Sequence, residues 1–413
     1  MPDSITADSW PILSAIIRRE FMIPEPKANC VYAALGIFAW NEQEAIGPML
    51  GSLFRQSLFA ELARRNLRCE IHCVLNGCTD QTPEVAREFY DLQARSHPHR
   101  NAFDCSVDNL AERGKIRAWN QFVHSLSARS ARFLIMMDAD ILIHREGTLW
   151  NMLRALEEDA SASVSVDQPC KDLRFKRRKS YRERLSLSAS QMTLSAKAQL
   201  CGQLYCIRSE VARNIYLPND LAACEDGFIK TLVCTDFLTR PHADGRIRVA
   251  EQAEHTFEAY TSPAAIFKNQ KRQMMGQTIV HLLVDEYLPA LPISQRERLA
   301  DTLREKERAD PLWLKRLIAE HLRRTTFFWR LYPGLLGRRI LRLANLSPLK
   351  KLACAPAVAA GLLVDLLASF MAHRALKNGC TDYWPRAQRL GLKPTNEHEP
   401  FAGGGKPTAC QYQ

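Results

Sequence analysis

Four apolar runs in the first third of the chain constrain the fold most: VYAALGIFA (31–39), CEIHCVLN (69–76), AFDCSVD (102–108) and RFLIMMD (132–138). Each reads as a strand, and each is followed by a segment with helical periodicity. Strands that alternate with helices in this way imply successive βαβ units and a parallel sheet. Such a sheet binds its ligands outside the carboxyl ends of the strands, which is where the polar motifs of this sequence fall.

The helix starts repeat that message. Asn41 is placed to cap the helix after the first run, with Glu44 completing a capping box ahead of Ile46, Met49 and Leu50. After the second run, Asn76-Gly77 forms a turn, Thr82 is the expected cap and Pro83 takes the first helical position. Both helices then turn free N–H groups and positive dipole ends toward one crevice, an arrangement suited to an anionic ligand. Further strands are expected at 161–168, 203–209 and 247–260. The chain divides into an extension (1–30), a catalytic domain (31–280), a mostly helical basic region that associates with membranes (281–398) and a disordered tail (399–413).

Charge narrows the partners. Lys and Arg number 56 against 45 Asp and Glu, a formal charge of +11, which points to something anionic. One cluster, KDLRFKRRKSYRER, opens the stretch 171–200, which reads either as a surface helix or as an acceptor-binding insertion. No helix-turn-helix, zinc finger or aromatic RNA-binding motif accompanies the charge, so nucleic acid is not an expected partner. The 13 cysteines include no C-x-x-C pair, and Cys69, Cys73 and Cys78 lack zinc-ligand spacing, so a reducing compartment is expected. The amino terminus has no basic start and apolar core of the secretory kind.

Toward the carboxyl end, residues 325–352 mix aromatics and leucines with arginines, as interfacial helices do. Residues 352–372 are nearly continuously apolar, flanked by Lys350, Lys351 and Arg374. That length just reaches across a bilayer of about 30 Å. Asp365, near the middle, would cost about 2.5 to 3.5 kcal/mol in lipid, so a helix lying on the membrane surface is preferred to a span, with burial in a soluble core as the third reading. The expected location is the cytoplasmic side of the cell membrane, peripheral or with a single span.

Asp138 and Asp140, separated by one residue at the end of the fourth run, are the sharpest local feature. Two like charges this close stay ionised only where water, fixed donors or a cation meets them. The readings open at this point are a solvated strand end and a bound divalent metal. Around the pair stand FAWNEQEAI (38–46), LNGCTDQT (75–82), RGKIRAWN (113–120), ACEDGFI (223–229) and NQKRQ (269–273). In this order and at these separations the motifs resemble a family 2 glycosyltransferase, an inverting enzyme of the GT-A fold, over residues 31 to about 280.

The resemblance implies an α/β, GT-A type nucleotide-binding sheet flanked by helices, and a role for each motif. Ala39, Trp40, Asn41, Glu42 and Asn76 would form the nucleotide loops, although for Trp40 the packing role usual for strand-end aromatics is preferred to stacking on the base. Members often carry acids where this chain has Leu75 and Asn76, so a uracil N–H would be met by the Asn76 carbonyl. Lys115 would approach the donor phosphates or ribose, with Gly114 permitting close backbone approach. Asp138 would lie toward the ribose and share with Asp140 a Mg²⁺ or Mn²⁺ that screens the leaving diphosphate. Asp226 would be the catalytic base and Glu225 its supporting carboxylate. Arg272 would meet the acceptor or diphosphate. Asn269 and Gln273 replace the glutamine and tryptophan of the motif that processive synthases use, which favours transfer of a single sugar. The implied donor is a nucleotide-sugar, with a UDP-sugar favoured. The implied acceptor is a saccharide or lipid-linked, as in synthesis of cell-surface polysaccharide or glycolipid. The alternatives are a catalytically silent membrane-bound scaffold and a nucleotidyltransferase, although FAWNEQEAIG lacks the basic Gly-rich phosphate loop of the latter.

Overall fold

The computed structural model describes residues 31–174, 199–258, 262–324, 344 and 348–379. The extension 1–30, most of the basic stretch 171–200, most of the aromatic and arginine-rich segment and the tail lie outside these residues.

The described residues form one seven-stranded sheet in the order β3-β2-β1-β4-β6-β5-β7. The strands are β1 (Val31–Ala39), β2 (Arg68–Asn76), β3 (Phe103–Leu110), β4 (Phe133–Asp138), β5 (Val164–Lys171), β6 (Leu204–Arg208) and β7 (Ile247–Phe257). The helices between them are α1 (Ile46–Phe54), α2 (Leu58–Arg64), α3 (Thr82–Ser96), α4 (Lys115–Gln121), α5 (Thr148–Glu158), α6 (Ser209–Arg213) and α7 (Glu225–Cys234). After β7 come α8 (Pro263–His281), α9 (Ile293–Glu297), α10 (Leu299–Ala309), α11 (Trp313–Arg324) and α12 (Pro348–Lys377).

The first four strands pair in parallel, as expected, with Leu35 of β1 in register with Ile71 on one side and Ile135 on the other. A wholly parallel sheet is corrected at β6, which runs antiparallel to both β4 and β5. The chain enters β6 from the end at which β4 leaves, where the Asp138 N–H donates to the Gln203 carbonyl, so it must run back along its neighbour.

Alternation along β1 shows why both sheet faces are covered. Ala33, Leu35 and Ile37 join one apolar cluster, filled by Met49 and Leu53 of α1, Phe59 of α2 and Leu153 of α5. Ala34 and Phe38 join the other, filled by Trp119 of α4, Phe228 of α7 and Met275 of α8. That second cluster continues without a break into Leu303 of α10, Ile318 of α11 and Ala372 of α12. The helices beyond residue 280 therefore add to the core of the sheet. Among the described residues no helix is long and apolar enough to cross a membrane. In α12, Asp365 is buried and accepts a hydrogen bond from Gln270 Nε2 of α8 at 3.1 Å. The same helix leaves Leu363, Leu367, Phe370 and Met371 exposed.

The helix caps differ from expectation because tertiary hydrogen bonds claim the capping residues. Asn41 adopts φ +54°, and its Oδ1 accepts from the Thr79 N–H at 2.7 Å, so no capping box forms and α1 starts after Ala45. Thr82 is the first residue of α3, and its hydroxyl accepts from the Glu42 N–H at 2.7 Å. Both side chains tie the loop after β1 to the loop after β2.

One close approach fixes the seat of α8. A Cβ on Gly276 would lie 2.6 Å from the carbonyl oxygen of Ala223, immediately before α7. Gly276→Ala is expected to lower stability by about 1 to 3 kcal/mol in urea unfolding, the usual cost of overpacking against a part that cannot yield.

Candidate active site

The carboxyl ends of β1, β2 and β4 open on a cleft lined by Trp40, Glu42, Asn76, Lys115, Asp138, Asp140 and Glu225. Lys115 is its electrostatic centre. Gly114, at φ +147°, turns the chain into α4 so that Lys115 opens the helix and its ammonium enters the cleft. Nζ lies 2.6 Å from Asp138 Oδ1 and 3.1 Å from Glu225 Oε1, and donates to the Gly202 carbonyl at 3.0 Å.

Burial sets the protonation of these groups. It opposes charge on Lys115, but Asp138 and Glu225 outweigh it and hold the amine above the usual lysine range. Burial raises the Asp138 carboxyl to about 7 against the pull of Lys115, and neighbouring Asp140 adds to the rise. Glu225 is also pushed up by burial, yet Lys115 and Arg272 prevail and leave it below the usual range. Asp226 rises to about 6 through burial and the charge of Glu225.

Glu225 and Asp226 arrive together because Cys224 adopts a left-handed conformation, φ +63°, and α7 begins directly after it. Both acids then occupy the first turn, where the helix dipole favours negative charge. Asp226 Oδ1 accepts from the Gly227 N–H at 2.8 Å.

Ala39, Asn41, Asp226 and Arg272 do not line the cleft, although Asp226 directly follows Glu225, which does. Ala39 is fully buried, and its carbonyl accepts from Asn76 Nδ2 at 2.9 Å. Asn76 Oδ1 accepts from the Gly114 N–H at 3.3 Å, so this amide joins the ends of β1 and β2 to the turn before α4. Asn41 holds the loop after β2, and Arg272 acts on Glu225 through its charge. Trp40 lines the cleft, and the Arg113 guanidinium lies 3.4 Å from its ring centre. Arg113 was not singled out from the sequence, although it directly precedes Gly114 in RGKIRAWN. Gly202 and Gln203 act through backbone groups and carried no sequence signal.

Among the described residues no group of three or more His, Cys, Asp or Glu side chains could hold a metal by itself. The oxygens of Asp138 and Asp140 still suit Mg²⁺ or Mn²⁺. Mg²⁺ commonly takes one or two protein carboxylates and completes its shell with substrate phosphates and water.

The sheet thus carries an acidic cluster with a buried lysine at the carboxyl ends of its strands, the place where open α/β sheets bind their ligands. Residues 35–212 match the family described as Glycosyl transferase family 2, which marks this part of the chain as a glycosyltransferase domain of the kind that takes its sugar from a nucleotide-sugar. The match sets aside the nucleotidyltransferase alternative. No curated protein matches the sequence.

Similar solved structures include the mannosyltransferase PcManGT from Pyrobaculum calidifontis in complex with GDP-Man and Mn²⁺. It shares 16% identity over 89% of this chain and 94% of its own, with a TM-score of 0.47. S. aureus TarS 1–349 in complex with UDP shares 15% identity over 90% and 98%, with a TM-score of 0.40. Glucosyl-3-phosphoglycerate synthase from Mycobacterium tuberculosis in complex with Mn²⁺, UDP-glucose and phosphoglyceric acid shares 13% identity over 64% and 82%, also at 0.40.

Lys115→Met strands two buried carboxylates and is expected to cost about 3 to 5 kcal/mol at pH 7. Without the lysine that lowers them, both carboxyls take up protons more readily, and Glu225 gains one as the pH falls to 5 that the parent does not take up, which relieves part of that penalty. Urea unfolding at the two pH values should show the gap to the parent protein narrowing at the lower one.

Proposed function

We propose that this protein transfers one sugar from a nucleotide-sugar to a hydroxyl of a saccharide or lipid-linked acceptor, inverting the anomeric centre. The observation that carries the reading is a protonation-tuned acid, Asp226, that directly follows Glu225, a member of the buried Lys115 cluster. At neutral pH a carboxyl that titrates near 6 is ionised, yet basic enough to accept a proton. Asp226 takes the acceptor hydroxyl's proton as that oxygen bonds to the anomeric carbon. The bond from the same carbon to the nucleoside diphosphate breaks on the opposite face.

Lys115 holds Asp138 and Glu225 in place, and Arg272 helps keep Glu225 ionised. An incoming diphosphate brings further negative charge to the carboxylates of Asp138, Asp140 and Glu225. Mg²⁺ or Mn²⁺ held by Asp140 and Asp138 would supply the missing positive charge to the departing diphosphate. Trp40, beneath Arg113, offers the cleft an aromatic surface for a base, and a UDP-sugar is the donor favoured.

We also propose that the enzyme works on the cytoplasmic face of a membrane, in synthesis of cell-surface polysaccharide or glycolipid. Leu363, Leu367, Phe370 and Met371 form an exposed apolar stripe on α12, and Lys351, Arg374 and Lys377 supply cations at its two ends. Leu363→Glu with Phe370→Glu should weaken co-sedimentation with phosphatidylglycerol vesicles without changing turnover of a soluble acceptor. Equal binding by the two proteins would remove this support.

The reaction is tested by nucleoside diphosphate release from UDP- and GDP-sugars with Mn²⁺. Asp226→Asn should lower turnover by about 10² to 10⁴-fold while donor binding persists. Below the carboxyl's value of about 6, kcat/KM should fall roughly tenfold per pH unit, because the base is lost as it binds a proton. A flat acid limb, or full activity in Asp226→Asn, would refute the assigned role.

A further inference from the structure

Under the acid cluster lies a buried hydrogen bond between two aromatic side chains. Trp119 Nε1 donates to the hydroxyl oxygen of Tyr205 at 2.7 Å, and each side chain is only 1% exposed. Among the described residues these are the two largest side chains buried so completely. A phenylalanine or leucine would fill either place with no polar group to satisfy, whereas a buried indole N–H and a phenol each require a partner. Filling space does not call for such a pair; setting a position does.

The bond joins the two elements on which the cluster depends. On α4, Trp119 follows Lys115 by four residues, so the two side chains share one face of the helix. On β6, Tyr205 is in register with Met136 of β4, and two residues earlier the Gln203 carbonyl accepts from the Asp138 N–H at 2.8 Å. Met136 packs in the same apolar cluster as Trp119 and Tyr205, and alternation along β4 puts Asp138 on that face too. Burial holds the Tyr205 hydroxyl well above the usual tyrosine range, and the charges of Glu225, Asp226 and Asp138 push in the same direction, so the phenol stands near all three acids.

Helix α4 needs such a tie. It keeps regular helical bonding for seven residues, widens into a π-turn over Phe122–Leu126, and has no side-chain cap at Gly114. A helix this short is held by tertiary contacts and not by its own hydrogen bonds. A second tie, from Asn120 to the backbone of Leu217 at 2.7 and 3.0 Å, leaves from a different side of the helix. The Trp119 bond acts on the face that carries Lys115.

We propose that Trp119 and Tyr205 are positioning residues for the donor site: their hydrogen bond fixes the seat of α4, and so the reach of Lys115 Nζ to Asp138 and Glu225. The effect on turnover rests on the sugar-transfer reading; the effect on α4 does not.

Tyr205→Phe removes one oxygen and leaves the ring in place. Hydrogen exchange of the full chain, followed over peptides covering 115–121, should then be about tenfold faster or more, the mark of a buried N–H left without an acceptor. Leu153→Ala, which opens the core on the other face of the sheet, should leave those peptides near the parent rate. Turnover should fall about tenfold or more in Tyr205→Phe, with KM for the donor within about twofold, as expected for a mispositioned site. On a Lys115→Arg background, which keeps the charge but changes its shape and reach, the same replacement should change turnover by less than about twofold, because a residue that acts through Lys115 has nothing left to position. Parent-like exchange over 115–121 in Tyr205→Phe overturns the proposal, and so does equal acceleration by Leu153→Ala. An equal fall in turnover on both backgrounds also overturns it, since Tyr205 would then act without Lys115. Absence of sugar transfer by the parent protein with every donor would remove the functional reading while leaving the exchange result to decide the positioning role.

Discussion

The buried ammonium of Lys115 is the constraint around which the site is arranged. It is the shared partner of Asp138 at the end of β4 and of Glu225 at the start of α7. One is the end of the central strand and the other the start of a helix packed on the sheet. Neither carboxylate could remain ionised at such depth without it, since an isolated buried charge either costs several kcal/mol or is discharged by a proton. The lysine can reach both because Gly114 permits the backbone turn that starts α4 beneath them. The geometry of that one turn therefore decides the charge state of groups drawn from three separate parts of the chain.

Much of the architecture was legible in the sequence. β1 spans the run 31–39, and β2, β3 and β4 differ from the expected runs by a residue or two at their ends. The strand positions come from local apolar runs, and such runs dominate where strands are buried on both faces, as β4 is throughout. The direction of β6 was not legible, because its own residues read as a strand in either sense. Only the contact between Asp138 and Gln203 forces it to run back. Asn41 and Thr82 likewise carry strong local cap signals, yet each is taken by a partner about forty positions away, which no local pattern reports.

The site divides along the same line. Asp138, Asp140, Lys115 and Glu225 could be picked out because the chemistry needs charged side chains in short motifs, and they do line one cleft. Arg113 lay inside one of those motifs but gave no sign that it would cover Trp40. Gly202 and Gln203 contribute carbonyl groups that every residue possesses, so composition and spacing are silent about them. The function of the chain was thus readable from its side chains, while the scaffolding of that function depends on main-chain geometry.

The bare backbone at Gly276 has a mechanical consequence. There α8 meets the backbone at Ala223 with no side chain of its own in between, and the acid-bearing helix α7 begins two residues later. The same helix α8 is joined to α12 through the bond between Gln270 and Asp365. In a close-packed interior of low compressibility, a shift of α8 at this point acts directly on the backbone that leads into Glu225 and Asp226.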